Sequence, residues 1–547
     1  MVTRTRLASA FVAASLIAVA CGVAEPGVRA PDDESSIPDI PDLATPTTVD
    51  ADASTSTTAP SSTAPSSTAP SSETTTGETA TTQATTTDDT TENTINEDDP
   101  IIPVAGAVGG ESVGDSYYPN LGNTGYDVSH YDLSLAIEIP GADQLVGTAT
   151  IDLTATDTLS RLSFDFDDSL VVSSVEIGGV DASFEQADTK LRISPAETLD
   201  AGIDYSVIID YSGQPLTVDS GTRIGEIGWF DTPDVSVSVG EPFGARSWYP
   251  VNDHPVDKAT YTFRLDVDDD FTGVANGVLA EERVESGRRL TTWEMRQPMA
   301  SYLATVAVGD FTLVQSTPGA GVDVFDAVPT RLTDVFVGDF ELTDEMLVTF
   351  TELFGPYPFD EYGVLIADTE LGFALETQGR SLFSSAFVDG DGSIERIVAH
   401  ELAHQWFGNN VSPETWQDIW LNEGFASYAE DLWIEFGRNG EISELEARLL
   451  SRAEGALSPA PGDPGAAGLF DASVYRRGGI TLHSLRLAIG DDDFFEILRE
   501  WNVRFGGGVA STADFVALSE EISGEELDDF FVAWLGSGAL PELGAIS

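Results

Sequence analysis

The spacing of two histidines constrains this chain more than any other feature. In His400-Glu401-Leu402-Ala403-His404 the two imidazoles are four residues apart, and Glu423 follows in Asn422-Glu423-Gly424-Phe425-Ala426. On a helix, residues i and i+4 stack on one face, so His400 and His404 aim at a common point. Ile394, Ile397, Val398, Leu402, Trp406 and Phe407 recur around them at helical spacing, which predicts a buried helix. A buried histidine pair needs a partner, and a divalent metal supplies one. Two histidines on one helix and a carboxylate on another form the ligand pattern of a catalytic zinc site, with the fourth position left to water and Glu401 on the open side. The fold has to bring two helices face to face here. His130, His254 and His483, the other three of five histidines, have no neighbour at ligand spacing and are expected to be structural.

The chain divides before any fold can be assigned. Arg4 and Arg6 precede an apolar run from Leu7 to Ala20, the length of a signal-peptide core and too short to span a bilayer. The run ends at Ala18-Val19-Ala20-Cys21-Gly22, which resembles a bacterial lipoprotein signal, so 1–21 reads as a lipoprotein-type signal with Cys21 as the lipid-bearing residue. The expected location is the outer face of a membrane, lipid-anchored, with secretion as the alternative. Cys21 is the only cysteine, which excludes an intrachain disulfide or a thiolate cluster. Residues 22–115 read as a linker, rich in Thr, Ser, Pro and acids, in which Thr58-Ala59-Pro60-Ser61-Ser62 recurs from Thr63 and again from Thr68. Such a segment has too little apolar surface to offset its ordering entropy.

Charge narrows the partners. There are 25 basic against 93 acidic residues, and most of the acids lie after the linker. A surface of that sign repels phosphates, so nucleic acid is excluded as a partner. The only lysines are Lys190 and Lys258.

From 116 to 316, short runs alternate apolar and polar residues, as in Tyr131-Asp132-Leu133-Ser134-Leu135-Ala136-Ile137 and Thr260-Tyr261-Thr262-Phe263-Arg264-Leu265-Asp266-Val267. The period of two predicts an all-β domain. From 317 to 547 the character changes to α+β: a helix near Asp344 to Phe354, a strand at Val364-Leu365-Ile366, the two metal-site helices, and helices from Asp492 to Phe505 and Ala513 to Ile522. Asp389-Gly390-Asp391-Gly392-Ser393 lacks the glycine and glutamate spacing of a calcium loop and predicts a turn ending in a Ser393 helix cap.

These motifs together resemble the M1 family of zinc aminopeptidases, gluzincins that include aminopeptidase N. The resemblance extends through Gly244-Ala245-Arg246-Ser247-Trp248-Tyr249-Pro250-Val251-Asn252-Asp253-His254-Pro255 and Ala275-Asn276-Gly277. It implies a saddle-shaped β-domain ahead of a thermolysin-like catalytic domain, with one zinc held by His400, His404 and Glu423. It also implies a peptide substrate with a free N-terminus, whose amine pairs with Glu376 and Glu241. Glu376 stands in Phe373-Ala374-Leu375-Glu376-Thr377, where the family has Gly-x-Met-Glu-Asn, and only the glutamate is kept. Glu241 falls where the family places a Gln or Glu. Tyr475-Arg476-Arg477-Gly478 resembles the family's Tyr-x-Lys-Gly, with Arg477 for the lysine, and implies that Tyr475 stabilises the tetrahedral intermediate while Glu401 moves the proton.

Residues 476–547 are enough to finish the catalytic domain but too few for the helical domain that many members carry after it, which implies a more open site. An endopeptidase or another hydrolase on the same zinc set is the alternative reading, and an inactive M1-like binding scaffold a further one.

Overall fold

Alternation in the first half of the chain becomes an eight-stranded sheet in the computed structural model, which describes residues 106–138, 144–316, 321–438, 440 and 442–546. The signal, Cys21 and the repeated Thr/Ser/Pro stretch lie outside the described residues. In spatial order the long strands run Val278–Glu285, Arg288–Met299, Ala259–Asp268, Tyr126–Ile137, Leu145–Ala155, Asp204–Gly213 and Leu170–Ile177. In Tyr126–Ile137 the buried residues are Tyr126, Val128, Tyr131, Leu133, Leu135 and Ile137, so the period of two breaks once. The register shifts between Val128 and His130, and this bulge returns both Val128 and Tyr131 to the core face. A second sheet of five strands includes Val235–Val239, buried along its whole length, which leads directly to Glu241.

Two expected boundaries move. Residues 106–115 are part of the folded unit rather than linker: Ala107–Val108 pairs in parallel with Leu159–Asp165, and Asp115 is buried. Gly106, Gly109 and Gly110 lack the alternation that marks a strand, but they are needed for close approach; a Cβ on Gly106 would lie 2.7 Å from the Ser160 nitrogen. At the other end, Phe311–Ser316 pairs with Asp323–Pro329, which continues into Val364–Ala367 and Ser381–Ser384, so the strand assigned to the β-domain opens the sheet of the catalytic half.

Nine α-helices follow among the described residues: α1 (Thr333–Phe340), α2 (Thr343–Phe354), α3 (Glu395–Ala403), α4 (Trp420–Leu432), α5 (Ile442–Glu454), α6 (Ala472–Ile489), α7 (Asp491–Phe505), α8 (Thr512–Ser523) and α9 (Asp528–Leu535). None is long and apolar enough to cross a membrane. The expected cap on α3 is absent, since Ser393 does not cap it. Its backbone nitrogen instead donates to Asp391, and the buried Asp339 accepts from the nitrogens of Gly390 and Gly392. These local bonds hold the turn in the cap's place.

Helices α4 and α6 touch through backbone. A Cβ on Gly478 would lie 2.9 Å from the Gly424 Cα, and one on Gly424 3.0 Å from the Gly478 Cα. Glycine at both positions lets the helices approach closely, which brings Glu423 of α4 and Tyr475 of α6 to one place.

The two lysines serve the interior. Lys190 is buried against Asp165 at 2.7 Å. Lys258 reaches from the β-domain to the carbonyls of Asn409, Asn410 and Gly508, beside the turn that ends the metal-site helix.

Candidate active site

Helix α3 carries His400 and Glu401, and His404 is its C-terminal cap residue. The chain then turns sharply at Gly408, whose φ of +116 favours glycine and whose added Cβ would meet the Asn422 amide at 3.1 Å. His404 Nδ1 lies 3.0 Å from the Phe407 carbonyl. A carbonyl can only accept, so Nδ1 carries the proton and Nε2 presents its lone pair. His400 Nδ1 is set in the same way against Glu430 Oε1 at 3.1 Å.

Both bare nitrogens face one oxygen. Glu423 Oε2 lies 3.3 Å from His400 Nε2 and 3.6 Å from His404 Nε2. Two lone pairs turned toward a carboxylate repel unless positive charge lies between them, and one ligand atom from each residue lies within 4.8 Å of the others. The donor set therefore fits a divalent cation of the zinc type. The same attraction appears in the proton affinities. Burial opposes charge on His400, yet hydrogen bonds with Glu423 and Glu430 push it up to about 9. Burial also opposes charge on Glu423, yet the two histidines hold it down to about 2.

Glu430 is the functional residue that the sequence reading missed. It stands seven residues after Glu423, two turns along the same helix face, and is held by Arg396 at 3.1 Å. Burial would raise its carboxyl, but Arg396 and His400 keep it far below the usual range, so it remains an acceptor for the His400 proton.

The remaining expected residues converge on the same place. Glu401 is fully buried and neither of its carboxyl oxygens has a hydrogen-bond partner among the described residues. Burial pushes it well above the usual carboxylate range, with His404 opposing. Glu376 and Glu241 are likewise buried and bare, and each has an oxygen within 4.8 Å of one on the other and on Glu423. Burial and then Glu376 push Glu241 well up.

Glu376 is held by its backbone, whose carbonyl accepts from Asn409 Nδ2 at 2.6 Å and Gln405 Nε2 at 3.2 Å. The β-domain steadies the same loop, because Asn276 Nδ2 donates to the Gln378 carbonyl at 2.9 Å. Tyr475 lies inside α6. Its ring stacks on His400, with centroids 5.9 Å apart and planes 17° from parallel. Arg477 points elsewhere and caps α9 through the carbonyls of Ala533, Trp534 and Gly538.

The three leftover histidines each bond a neighbouring side chain. His130 bonds Thr260, His254 bonds Asp115, and His483 bonds Tyr428.

A β-domain followed by a helical domain, with a His-His-Glu set between facing helices, defines a two-domain metallopeptidase architecture. Comparison with known proteins agrees. The Peptidase M1 N-terminal domain model matches residues 128–303 and the Peptidase family M1 domain model residues 339–534. An M1 zinc metallopeptidase from Deinococcus radiodurans, solved with a Tyr-Ser-Ala substrate, is 32% identical with a TM-score of 0.74, over 79% of this chain and 99% of that one. A two-domain M1 zinc metallopeptidase bound to L-tryptophan is also 32% identical, with a TM-score of 0.72, over 80% and 100%.

Aminopeptidase M1-A of Oryza sativa subsp. japonica is 27% identical over 75% of this chain and 50% of its own length. Aminopeptidase B of Mus musculus is 27% identical over 56% and 50%. The chain spans about half the length of these curated relatives. It belongs to peptidase family M1.

Proposed function

We propose that this chain is a zinc aminopeptidase that removes the first residue from peptides with a free N-terminus. The observation that carries this reading is the pair of bare, buried carboxylates, Glu376 and Glu241, beside the metal set. His400, His404 and Glu423 would hold the zinc, which when bound supplies Lewis acidity toward a water and the scissile carbonyl.

The other residues have distinct tasks. Glu401, bare and with a raised proton affinity, takes a proton from the attacking water at its carboxylate and returns it to the leaving nitrogen. Tyr475, stacked beside His400, donates its hydroxyl to the negative oxygen that develops on the scissile carbonyl. Glu376 and Glu241 accept the substrate ammonium, and a blocked amide would leave both carboxylates desolvated without a counter-charge. Tyr-Ser-Ala and L-tryptophan in the related structures support a pocket able to take a large first side chain.

The test is a panel of aminoacyl fluorogenic amides and their N-acetyl forms, with and without chelator. Free amides are cut, acetylated ones are not, and chelator abolishes the activity. Equal cleavage of blocked and free forms would overturn the exopeptidase reading in favour of an endopeptidase.

We propose export and lipid anchoring as well, supported by Arg4, Arg6, the apolar run to Ala20 and the single Cys21. The linker would hold the enzyme away from the membrane on the outer face of the cell. A shift of Cys21→Ser from the membrane to the soluble fraction checks the anchor, and unchanged fractionation rejects it.

A further inference from the structure

Residues 112–121 precede the stretch that matches the family domain models, and they form an arm pinned to both halves of the protein. Asp115 Oδ2 accepts from the Trp416 backbone nitrogen at 2.8 Å in the catalytic half and lies 3.2 Å from His254 Nε2 in the β-domain. The Tyr117 hydroxyl donates to Asp463 Oδ1 at 2.6 Å and accepts from the Gly465 nitrogen at 3.0 Å. With the Tyr118 backbone nitrogen donating to Asp115 Oδ1 at 3.2 Å, these bonds hold Tyr118 in position.

The Tyr118 ring packs edge-on against Phe243, with centroids 5.2 Å apart, and against Trp416 at 6.2 Å. Phe243 is two residues from Glu241. The Tyr118 hydroxyl is enclosed and has no hydrogen-bond partner among the described residues, and neither carboxyl oxygen of Glu241 has one. Burial, then the Glu241 charge, raise the Tyr118 phenol. The two groups do not hydrogen-bond to each other. A buried hydroxyl without a partner is destabilising, and phenylalanine would give the same ring contacts without that penalty. The position makes physical sense if a polar ligand atom arrives there.

We propose that Tyr118 is a specificity-determining residue whose hydroxyl lines the pocket for the substrate's first side chain. It favours N-terminal residues with an O–H or N–H in that side chain. This rests on the aminopeptidase reading, in which Glu241 receives the ammonium and so fixes the first Cα nearby. A site built to bond a polar group discriminates against an isostere that lacks it, because its own buried group is then left bare.

The experiment uses the zinc-loaded full chain and three nearly isosteric pairs of aminoacyl amides: tyrosyl and phenylalanyl, threonyl and valyl, glutaminyl and methionyl. The readout is the ratio of kcat/KM within each pair, which cancels differences in folding and active fraction. Tyr118→Phe is expected to lower the polar-to-apolar ratio by about tenfold in at least one pair, as loss of one hydrogen bond implies. Tyr117→Phe, which loosens the arm but leaves the Tyr118 hydroxyl, lowers kcat/KM for both members alike and keeps the ratio.

Ratios unchanged by Tyr118→Phe in all three pairs would overturn the proposal. Failure of the wild-type protein to cut any of the six amides would instead reject the aminopeptidase reading, and this inference with it.

Discussion

The two ends of the active site are built on opposite rules. At the metal end both histidines are held from behind: His404 by the Phe407 carbonyl, and His400 by Glu430, itself held by Arg396. At the other end Glu376, Glu241 and Glu401 are equally buried, yet none of their carboxyl oxygens has a hydrogen-bond partner among the described residues. Burial is common to both. On the proposed function the difference is where the missing charge comes from: a bound cation at the metal end, and at the other end the substrate ammonium and the proton in transit.

The largest expected effect breaks the bare end. Glu401→Gln removes the proton acceptor while leaving the ligands intact, so kcat falls by about 10²–10⁴-fold with zinc content unchanged by elemental analysis. Loss of zinc together with activity would place Glu401 in the metal framework instead.

Glu376→Gln comes next. Removing one charge-assisted contact to the ammonium costs roughly 1.5–3 kcal/mol, or about 10–100-fold in kcat/KM on free aminoacyl amides. The preference over acetylated forms should shrink with it.

Glu430→Gln probes the held end. It leaves the site with all three ligands but weakens the support behind His400, so zinc affinity in chelator competition falls by about 10–100-fold, while kcat at saturating zinc changes less.

The smallest effect tests whether burial alone makes a site. Asp253 is fully buried and pushed up to about 7 by burial and then by Asp165, but it accepts from Ser301 Oγ and the Arg246 nitrogen and lies in a partnered setting. Its folded affinity for a proton exceeds its unfolded one, so the folded state binds more protons between about pH 4 and pH 7. Stability from this group is full below that window and is lost as pH rises through it. Asp253→Asn should flatten that part of the thermal midpoint profile by roughly 2–5 °C, with catalysis little affected.

How much of this could be read in advance follows from the range of each signal. The metal set was legible because a helix converts the four-residue spacing of His400 and His404 into geometry, and the family resemblance supplied Glu376, Glu241 and Tyr475. Their placement in space came from elsewhere in the fold. Gly478 and Gly479 are poor helix formers and carry no helical signal of their own, yet they are the contact surface of α6 against α4, and Tyr475 lies within that helix. The arm around Tyr118 was invisible for a different reason. Its value lies in contacts across hundreds of residues, to Trp416 and Asp463, and its own glycine-rich neighbourhood carries no alternation that would mark it as folded. Glu430 was within reach, since its seven-residue interval from Glu423 puts both on one helical face.

The glycine contact between α4 and α6 makes the spacing of Glu423 and Tyr475 a fixed gauge. Side chains between helices can change rotamer and let the helices slide, but here the two main chains meet directly at Gly424 and Gly478. The span from Glu423 to Tyr475, the proposed oxyanion donor, is thus calibrated where backbone meets backbone. Side-chain changes elsewhere in the core can alter how firmly the pair is clamped, but they have no means of resetting its length.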